Sequence, residues 1–190
     1  MSSLVLAVVS GIIMVSGDVN GSTAVGHACP ISSTTALTNA HVAYSDSKPR
    51  TLIYSDGNGV EGILRPVLVD QARDLALLEV VSGSDFQKFF PLAPEAPKRG
   101  DRVWLEGYDF TKGGTPRIVE TEIVNPSPIL FTYKKGGGPG SSGSCVINSL
   151  GEVVAINKGA LPKDADNMWG RGVLVAGEMW SKIIHKEGGR

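Results

Sequence analysis

Short runs of aliphatic and β-branched residues alternate with turn-forming residues along most of this chain. Each run is long enough for one strand, and the glycine, proline, asparagine and aspartate residues between the runs favour turns. The pattern predicts strands at Ile12–Val15, Ala24–Cys29, Thr35–Thr38, Thr51–Tyr54, Val60–Val69, Leu75–Val81, Arg102–Gly107, Arg117–Val124, Ile129–Tyr133, Cys145–Asn148, Val153–Asn157 and Val173–Val175. Many short strands separated by turns are typical of β-sandwiches and closed barrels.

A proline-rich stretch from Pro91 to Pro97 divides these strands into two groups. Proline cannot donate a hydrogen bond to a central strand ladder, so this stretch is predicted to be a linker. The boundary is placed between residues 1–95 and residues 96–190. Helical spacing of apolar residues appears at Gly177–Lys186 and predicts a short C-terminal helix whose apolar stripe packs on the core.

The apolar N-terminus, residues 1–16, is predicted to form one or two buried strands. It lacks the positively charged start of a signal peptide, and Ser10-Gly11 interrupts it. It is also shorter than the ~20 apolar residues that a membrane span needs. We therefore expect no membrane span.

The composition is that of a globular protein, with 42% hydrophobic residues and a formal net charge of −1. Because no basic block stands out, we expect no nucleic-acid partner. The two cysteines, Cys29 and Cys145, are too few for a disulfide scaffold and are predicted to be buried free thiols. Free thiols fit a reducing compartment, so a cytoplasmic or virus-associated location is favoured over a secreted one.

Two polar residues stand beside apolar strands in positions that suit acid–base chemistry. His41 ends the segment Thr35–His41, and Asp74 immediately precedes the strongly apolar run Leu75–Leu78. Histidine is the commonest base near neutral pH. A carboxylate beside it holds the tautomer and stabilises the imidazolium. Taken alone, each residue is better explained as a solvated residue at a strand end.

Ser142 lies in a glycine-rich loop that leads directly into the apolar strand beginning at Cys145. Glycines allow a sharp turn that points several backbone N–H groups at one spot. The N–H groups of Gly140 and Ser142 are the candidates for binding the oxyanion of a tetrahedral intermediate. The three residues occur along the chain in the order His41, Asp74, Ser142. This order supports a catalytic triad that is not of the α/β-hydrolase type, because those enzymes carry their triad in the order Ser, Asp, His.

These segments resemble the chymotrypsin-like serine peptidases, and in particular the HtrA/Deg-type, viral and bacterial members. The similar segments surround the three residues just named: Leu37–Val42, Asp74–Leu78 and Gly140–Ser144, with weaker matches at Gly100–Val103 and Gly151–Asn157. The resemblance implies an all-β fold of two antiparallel six-stranded β-barrels, with the active site in the cleft between them. It also implies a polypeptide substrate, which includes the chain's own precursor as one candidate.

The same resemblance assigns a substrate-binding edge to Asn157, Lys158 and Gly159, with Gly159 and Gly172 lining an open specificity pocket. Several positions depart from the family pattern. Ser144 and Cys145 replace the usual glycine and proline. Ser141 stands where digestive enzymes carry an aspartate that pairs with a newly cut N-terminus. The loop 134–139 supplies no acidic residue for the pocket floor, which argues against a preference for arginine or lysine.

Two other functions remain open from the sequence. An esterase of the α/β-hydrolase type would use Ser142, His185, and Asp164 or Asp166. A catalytically silent binding module would keep the fold without the chemistry. The histidines and cysteines show no metal-ligand spacing, so we expect no metal, and none of these mechanisms needs an organic cofactor.

Overall fold

The computed structural model describes residues 13–19, 22–45, 48–56, 59–109, 115–138, 140–162 and 168–176. The predicted C-terminal helix and most of the N-terminal segment lie outside these residues. So do Asp164, Asp166 and His185 of the esterase hypothesis. No helix in the described ranges is long and apolar enough to cross a membrane.

The first half of the chain forms a closed six-stranded barrel. Its strands are β1 (Ile13–Val19), β2 (Ser22–Pro30), β3 (Thr35–Thr38), β6 (Leu52–Ser55), β7 (Glu61–Asp70) and β8 (Leu75–Gly83). They pair antiparallel in the order β1-β2-β3-β8-β7-β6, and β6 returns to β1. One helical turn, α1 (Ala40–Ala43), follows β3, and the two-residue strands β4 (Tyr44–Ser45) and β5 (Lys48–Pro49) pair beside it.

The second half forms another closed barrel of six antiparallel strands. They are β9 (Arg102–Asp109), β10 (Thr115–Asn125), β11 (Leu130–Tyr133), β12 (Cys145–Ile147), β13 (Val153–Pro162) and β14 (Met168–Leu174), in the order β10-β11-β14-β13-β12-β9. Between the barrels, residues 84–101 carry one isolated bridge, which joins Leu92 to Val153. The all-β prediction is confirmed.

The continuous apolar run in β8 has a simple structural cause. Leu75 and Leu77 pack in the cluster between the two barrels, whereas Ala76 and Leu78 pack in the core of the first barrel. Both faces of this strand are therefore buried, and alternation of polar and apolar residues is lost there. Asp74 stands at the entrance of this doubly buried strand.

The prediction that Cys29 and Cys145 are free thiols is wrong. They form a disulfide that joins β2 of the first barrel to β12 of the second, with their Cα atoms 5.2 Å apart. Both residues are fully buried in the cluster between the barrels. Folding brings together two cysteines that are 116 residues apart in sequence, a proximity that spacing alone does not indicate.

Candidate active site

His41 and Asp74 are in direct contact. The Nδ1 atom of His41 lies 3.0 Å from Oδ1 and 2.9 Å from Oδ2 of Asp74, and the His41 backbone N–H donates to Oδ1 at 2.9 Å. Because an ionised carboxylate only accepts hydrogen bonds, Nδ1 carries the proton. Nε2 of the half-exposed His41 ring is then left with a free lone pair that can accept a proton.

Asp74 is held in an unusual backbone conformation. It has φ of 60°, the only positive φ of a non-glycine residue in the described ranges. Such conformations cost about 1–3 kcal/mol and persist where the surroundings fix them. Here the Asn39 side-chain amide donates to the Asp74 carbonyl oxygen, and the Asp74 N–H donates to the carbonyl of Gln71. In this conformation the Asp74 carboxylate contacts both the ring and the backbone N–H of His41.

The charge on Asp74 is favoured by its neighbours. Burial by itself would raise the pKa of Asp74, but the hydrogen bonds from the His41 side chain and backbone lower it. The charges of His41 and Lys158 lower it further, and the net result is a pKa below the usual range. The Lys158 ammonium lies 3.4 Å from Oδ2. Asp74 therefore stays ionised at neutral pH.

Asn39 connects the acid to the loop that carries Ser142. Its Nδ2 atom donates to the Asp74 carbonyl at 3.1 Å, and its Oδ1 atom accepts the Gly143 N–H at 2.8 Å. The residue is completely buried. The sequence motif around His41 included Asn39, but its role depends on Gly143, which is 104 residues away.

Ser142 lies on the facing loop of the second barrel. Its hydroxyl contacts the carbonyl oxygen of Lys158 at 3.5 Å, and its own carbonyl accepts the His27 N–H at 2.8 Å. Across the described ranges, the Ser142 hydroxyl has no hydrogen bond to His41. Catalytic hydrogen bonds are often long before substrate binds and tighten in the reactive complex.

The loop around Ser142 depends on two glycines with positive φ, Gly140 at 81° and Gly143 at 88°. Such angles are readily available only to glycine. In the part of the chain that the structure describes, the N–H groups of Gly140 and Ser142 donate to no protein acceptor. They are therefore available to a ligand oxygen.

His27 supports this loop from the first barrel, a role that the sequence did not indicate. Its Nδ1 atom donates to the Gly140 carbonyl at 2.8 Å, and its Nε2 atom accepts the Tyr108 N–H at 2.7 Å. The ring is fully buried. Burial lowers the pKa of His27 to about 4, although the hydrogen bond to Gly140 partly opposes this. His27 is therefore a neutral brace and is not a second base.

Asn157 does not fit the predicted substrate edge. Its side chain is fully buried, and Nδ2 donates to the carbonyl and hydroxyl oxygens of Ser141 while Oδ1 accepts the Tyr133 hydroxyl. Its backbone N–H and C=O bond to Ser144 and Gly143. Asn157 thus fixes the loop next to Ser142, and none of these groups is free for a peptide.

Lys158 and Gly159 remain accessible on the same strand. β12 pairs with β13 only over Val153–Ile156, so within the described chain no strand covers that side of the next residues. Gly159 has φ of 133° and open space where a Cβ would stand. Gly172 is buried, and a Cβ there would meet Phe131 at 3.1 Å.

Among the described residues, no group of three or more His, Cys, Asp or Glu is placed to hold a metal ion.

Comparison with protein-family models matches residues 21–156 to the trypsin-like peptidase domain. The crystal structure of the serine endoprotease from Yersinia pestis gives a TM-score of 0.74 at 22% identity, over 96% of this chain and 64% of that one. This chain thus spans less than two thirds of the Yersinia protein. The Rv3671c protease from M. tuberculosis in its active form gives 0.74 at 22% identity, over 96% and 83%.

The apo MamO protease domain from Magnetospirillum magneticum gives a TM-score of 0.72 at 17% identity, over 95% of this chain and 96% of that domain. A search of curated proteins finds no match. At these identities the solved structures establish the shared fold. The family match covers well over half of the residues, and on that basis this chain belongs to the trypsin-like peptidase family.

Proposed function

We propose that this trypsin-like peptidase is a serine endopeptidase that cleaves peptide bonds through an acyl-enzyme, with His41, Asp74 and Ser142 as its triad. The Ser142 hydroxyl oxygen attacks the carbonyl carbon, and its proton passes to Nε2 of His41. The proton then moves to the leaving amine as the C–N bond breaks. Water hydrolyses the resulting ester and regenerates the serine.

The observation that carries this proposal is a double connection between Asp74 and the nucleophile loop, Gly140–Ser144. Asn39 bonds both the Asp74 carbonyl and the Gly143 N–H. Lys158 contacts the Asp74 carboxylate with its ammonium and the Ser142 hydroxyl with its carbonyl. Two independent bridges thus hold the two halves of the site together across the cleft. An imidazole already oriented by Asp74 supports the role of His41 as the base.

The free N–H groups of Gly140 and Ser142 support an oxyanion site. An oxyanion between them would accept two hydrogen bonds from groups that have no protein acceptor within the described chain. The glycines at 140 and 143 fix the loop, so little reorganisation is needed during the reaction.

A polypeptide substrate fits the uncovered side of β13. An extended peptide adds to a free strand edge through backbone hydrogen bonds, and Lys158 and Gly159 lie on such an edge. Gly172, which pairs with Asn157 from the adjacent strand β14, presents no side chain there. The peptide backbone would therefore be recognised here, whatever its sequence.

The test is covalent labelling of the intact chain with a fluorophosphonate, followed by mass spectrometry. We expect one adduct on Ser142, none in Ser142→Ala, and full labelling in Ser149→Ala, which removes an exposed serine elsewhere. His41→Ala should lower the labelling rate by at least about 1000-fold. An unlabelled wild-type chain would support the silent binding module instead. Labelling that depends on His185 and not on His41 would support the esterase.

A further inference from the structure

Lys158 touches both ends of the proposed triad. Its Nζ atom lies 3.4 Å from Oδ2 of Asp74, and its carbonyl oxygen lies 3.5 Å from the hydroxyl of Ser142. Asp74 belongs to the first barrel, whereas Lys158 and Ser142 belong to the second. The lysine side chain therefore crosses the cleft at the site itself, a contact that the predicted peptide-binding edge did not include.

A β-bulge explains how one residue makes both contacts. The pairing of β13 with β14 shifts register between Asn157 and Gly159, which leaves Lys158 outside the ladder. A bulge re-aims the side chain of the extra residue and increases local twist. The positive φ of Gly159 completes this irregular segment. The backbone of this irregular segment therefore sets the direction of the Lys158 side chain.

The surroundings make the ammonium charge effective. The Lys158 side chain is 31% exposed and the Asp74 side chain 11%, so the pair is more shielded from water than an ordinary surface ion pair. The titratable groups of the described chain that act on Asp74 are His41 from α1 and Lys158 from β13. Arg73, next to Asp74 in sequence, pairs with Asp70.

We propose that Lys158 is a positioning residue that sets the pH at which the His41–Asp74 pair takes up its proton. Proton uptake changes the charge of that pair from −1 to zero beside a fixed positive charge. The lysine therefore opposes uptake and keeps the pair in its basic form to lower pH. For catalysis, which rests on the proposed function, the consequence is activity that extends further into the acidic range.

The direct test does not depend on activity. The imidazole Cε1–H signal of His41 is followed by NMR against pH in the full chain carrying Ser142→Ala, with His41→Gln to assign it. Adding Lys158→Met keeps most of the stem and removes the charge. The titration midpoint should then rise by about 0.5–1 pH unit. Lys158→Arg, which keeps the charge, should stay within about 0.2 unit of the parent.

Two further variants keep the result interpretable. Lys98→Met removes an exposed lysine from the segment between the barrels and should leave the midpoint unchanged. Lys158→Gln removes the same charge with a different side chain, so a folding defect in one variant does not decide the matter. A midpoint that stays fixed or falls in the folded charge-removal variant would overturn the proposal.

Labelling kinetics separate this proposal from the proposed function. In a chain with native Ser142, the rate of fluorophosphonate labelling is measured against pH. The midpoint of its acidic limb should shift to higher pH in Lys158→Met, by the same amount as the NMR midpoint. A lower plateau with an unmoved limb would indicate a purely structural role for Lys158 and would contradict the charge effect. If the native chain is not labelled at all, the proposed function fails, while the NMR midpoints still decide whether Lys158 controls the pair.

Discussion

At the scale of single residues, His27 shows how burial and hydrogen bonding fix one protonation state. The Gly140 carbonyl needs a donor at Nδ1 and the Tyr108 N–H needs an acceptor at Nε2, so only one neutral tautomer satisfies both. Protonating the ring would break the bond from Tyr108. The hydrogen bonds with which His27 braces the loop therefore require a neutral ring, and the lowered pKa of His27 favours that neutral form.

The first prediction concerns stability in acid. The pKa of His27 is about 4 in the folded protein and near 6.5 when unfolded, so the unfolded state binds a proton first as pH falls. His27 therefore does not lower the free energy of unfolding well above pH 6.5. As pH falls through 6.5, that free energy decreases progressively until about pH 4. Between pH 7.5 and 4.5 the free energy of unfolding should fall by about 2–3 kcal/mol through this group.

The measurement compares urea unfolding of the wild type with that of His27→Gln at both pH values. The glutamine can donate and accept but does not titrate. Glu106 acts in the opposite sense, because burial raises its pKa to about 8, so the difference between the two proteins is the quantity to read. Equal pH slopes in the two proteins would contradict the assigned state of His27.

The second prediction concerns Asp74→Asn. The amide is nearly the same size, but its NH₂ group would face Nδ1 of His41 and favour the tautomer that carries the proton on Nε2. That tautomer cannot accept the serine proton, so kcat/KM should fall by about 10⁴. Peptide hydrolysis, together with thermal unfolding to verify the fold, checks this. A loss below about tenfold would remove Asp74 from the triad.

Single residues were predictable from sequence where their chemistry is announced by a local motif. His41 and Asp74 stand beside recognisable strands, and the structure brings them into contact. The roles of Asn39, His27 and the Lys158 side chain depend on partners 35–113 residues away. Such partners are set by tertiary packing, so no local pattern indicates them.

At the scale of elements, apolar patterning was sufficient for the barrel strands but not for the shortest pieces. β8 was evident because both of its faces are buried. The four-residue helix α1 was not, because one turn is too short to show a helical period. The two-residue strands β4 and β5 likewise fall below what alternation can reveal.

The third prediction tests how the loop that carries Ser142 is packed. Gly143 and Gly151 both have positive φ, at 88° and 78°. A Cβ at Gly143 would overlap the carbonyl of His27 and lie 2.6 Å from Thr38 Oγ1, whereas Gly151 has open space. Alanine at either position costs about 1–2 kcal/mol through the backbone. Gly143→Ala should lose about 1–3 kcal/mol more through the forced contacts.

Chemical denaturation and fluorophosphonate labelling of both variants provide the readout. Gly151→Ala should label at the wild-type rate, because its turn lies away from the site. Gly143→Ala should label poorly even where it is folded. Similar stabilities and rates for the two variants would mean that the contact between Gly143 and the first barrel does not shape the loop.

At the scale of the whole molecule, the two barrels meet in one buried cluster that contains the disulfide. Cys29 is two residues after His27, and Cys145 is three residues after Ser142. The covalent link therefore joins the segment that carries Ser142 to the segment that carries His27, which braces it.

The last prediction concerns this link between the barrels. Because the cysteines are 116 residues apart, their bond restricts a long loop in the unfolded chain, and its loss should cost about 3–5 kcal/mol. The double variant Cys29→Ala, Cys145→Ala is preferred because it leaves no free thiol. Its unfolding free energy, measured in urea beside the wild type, should be lower by that amount. Its Ser142 labelling should also slow, since the loop and its brace are no longer tied. Thiol titration of the denatured, unreduced wild type should find no free cysteine; two free thiols, or an unchanged stability in the double variant, would contradict the role given to this bond.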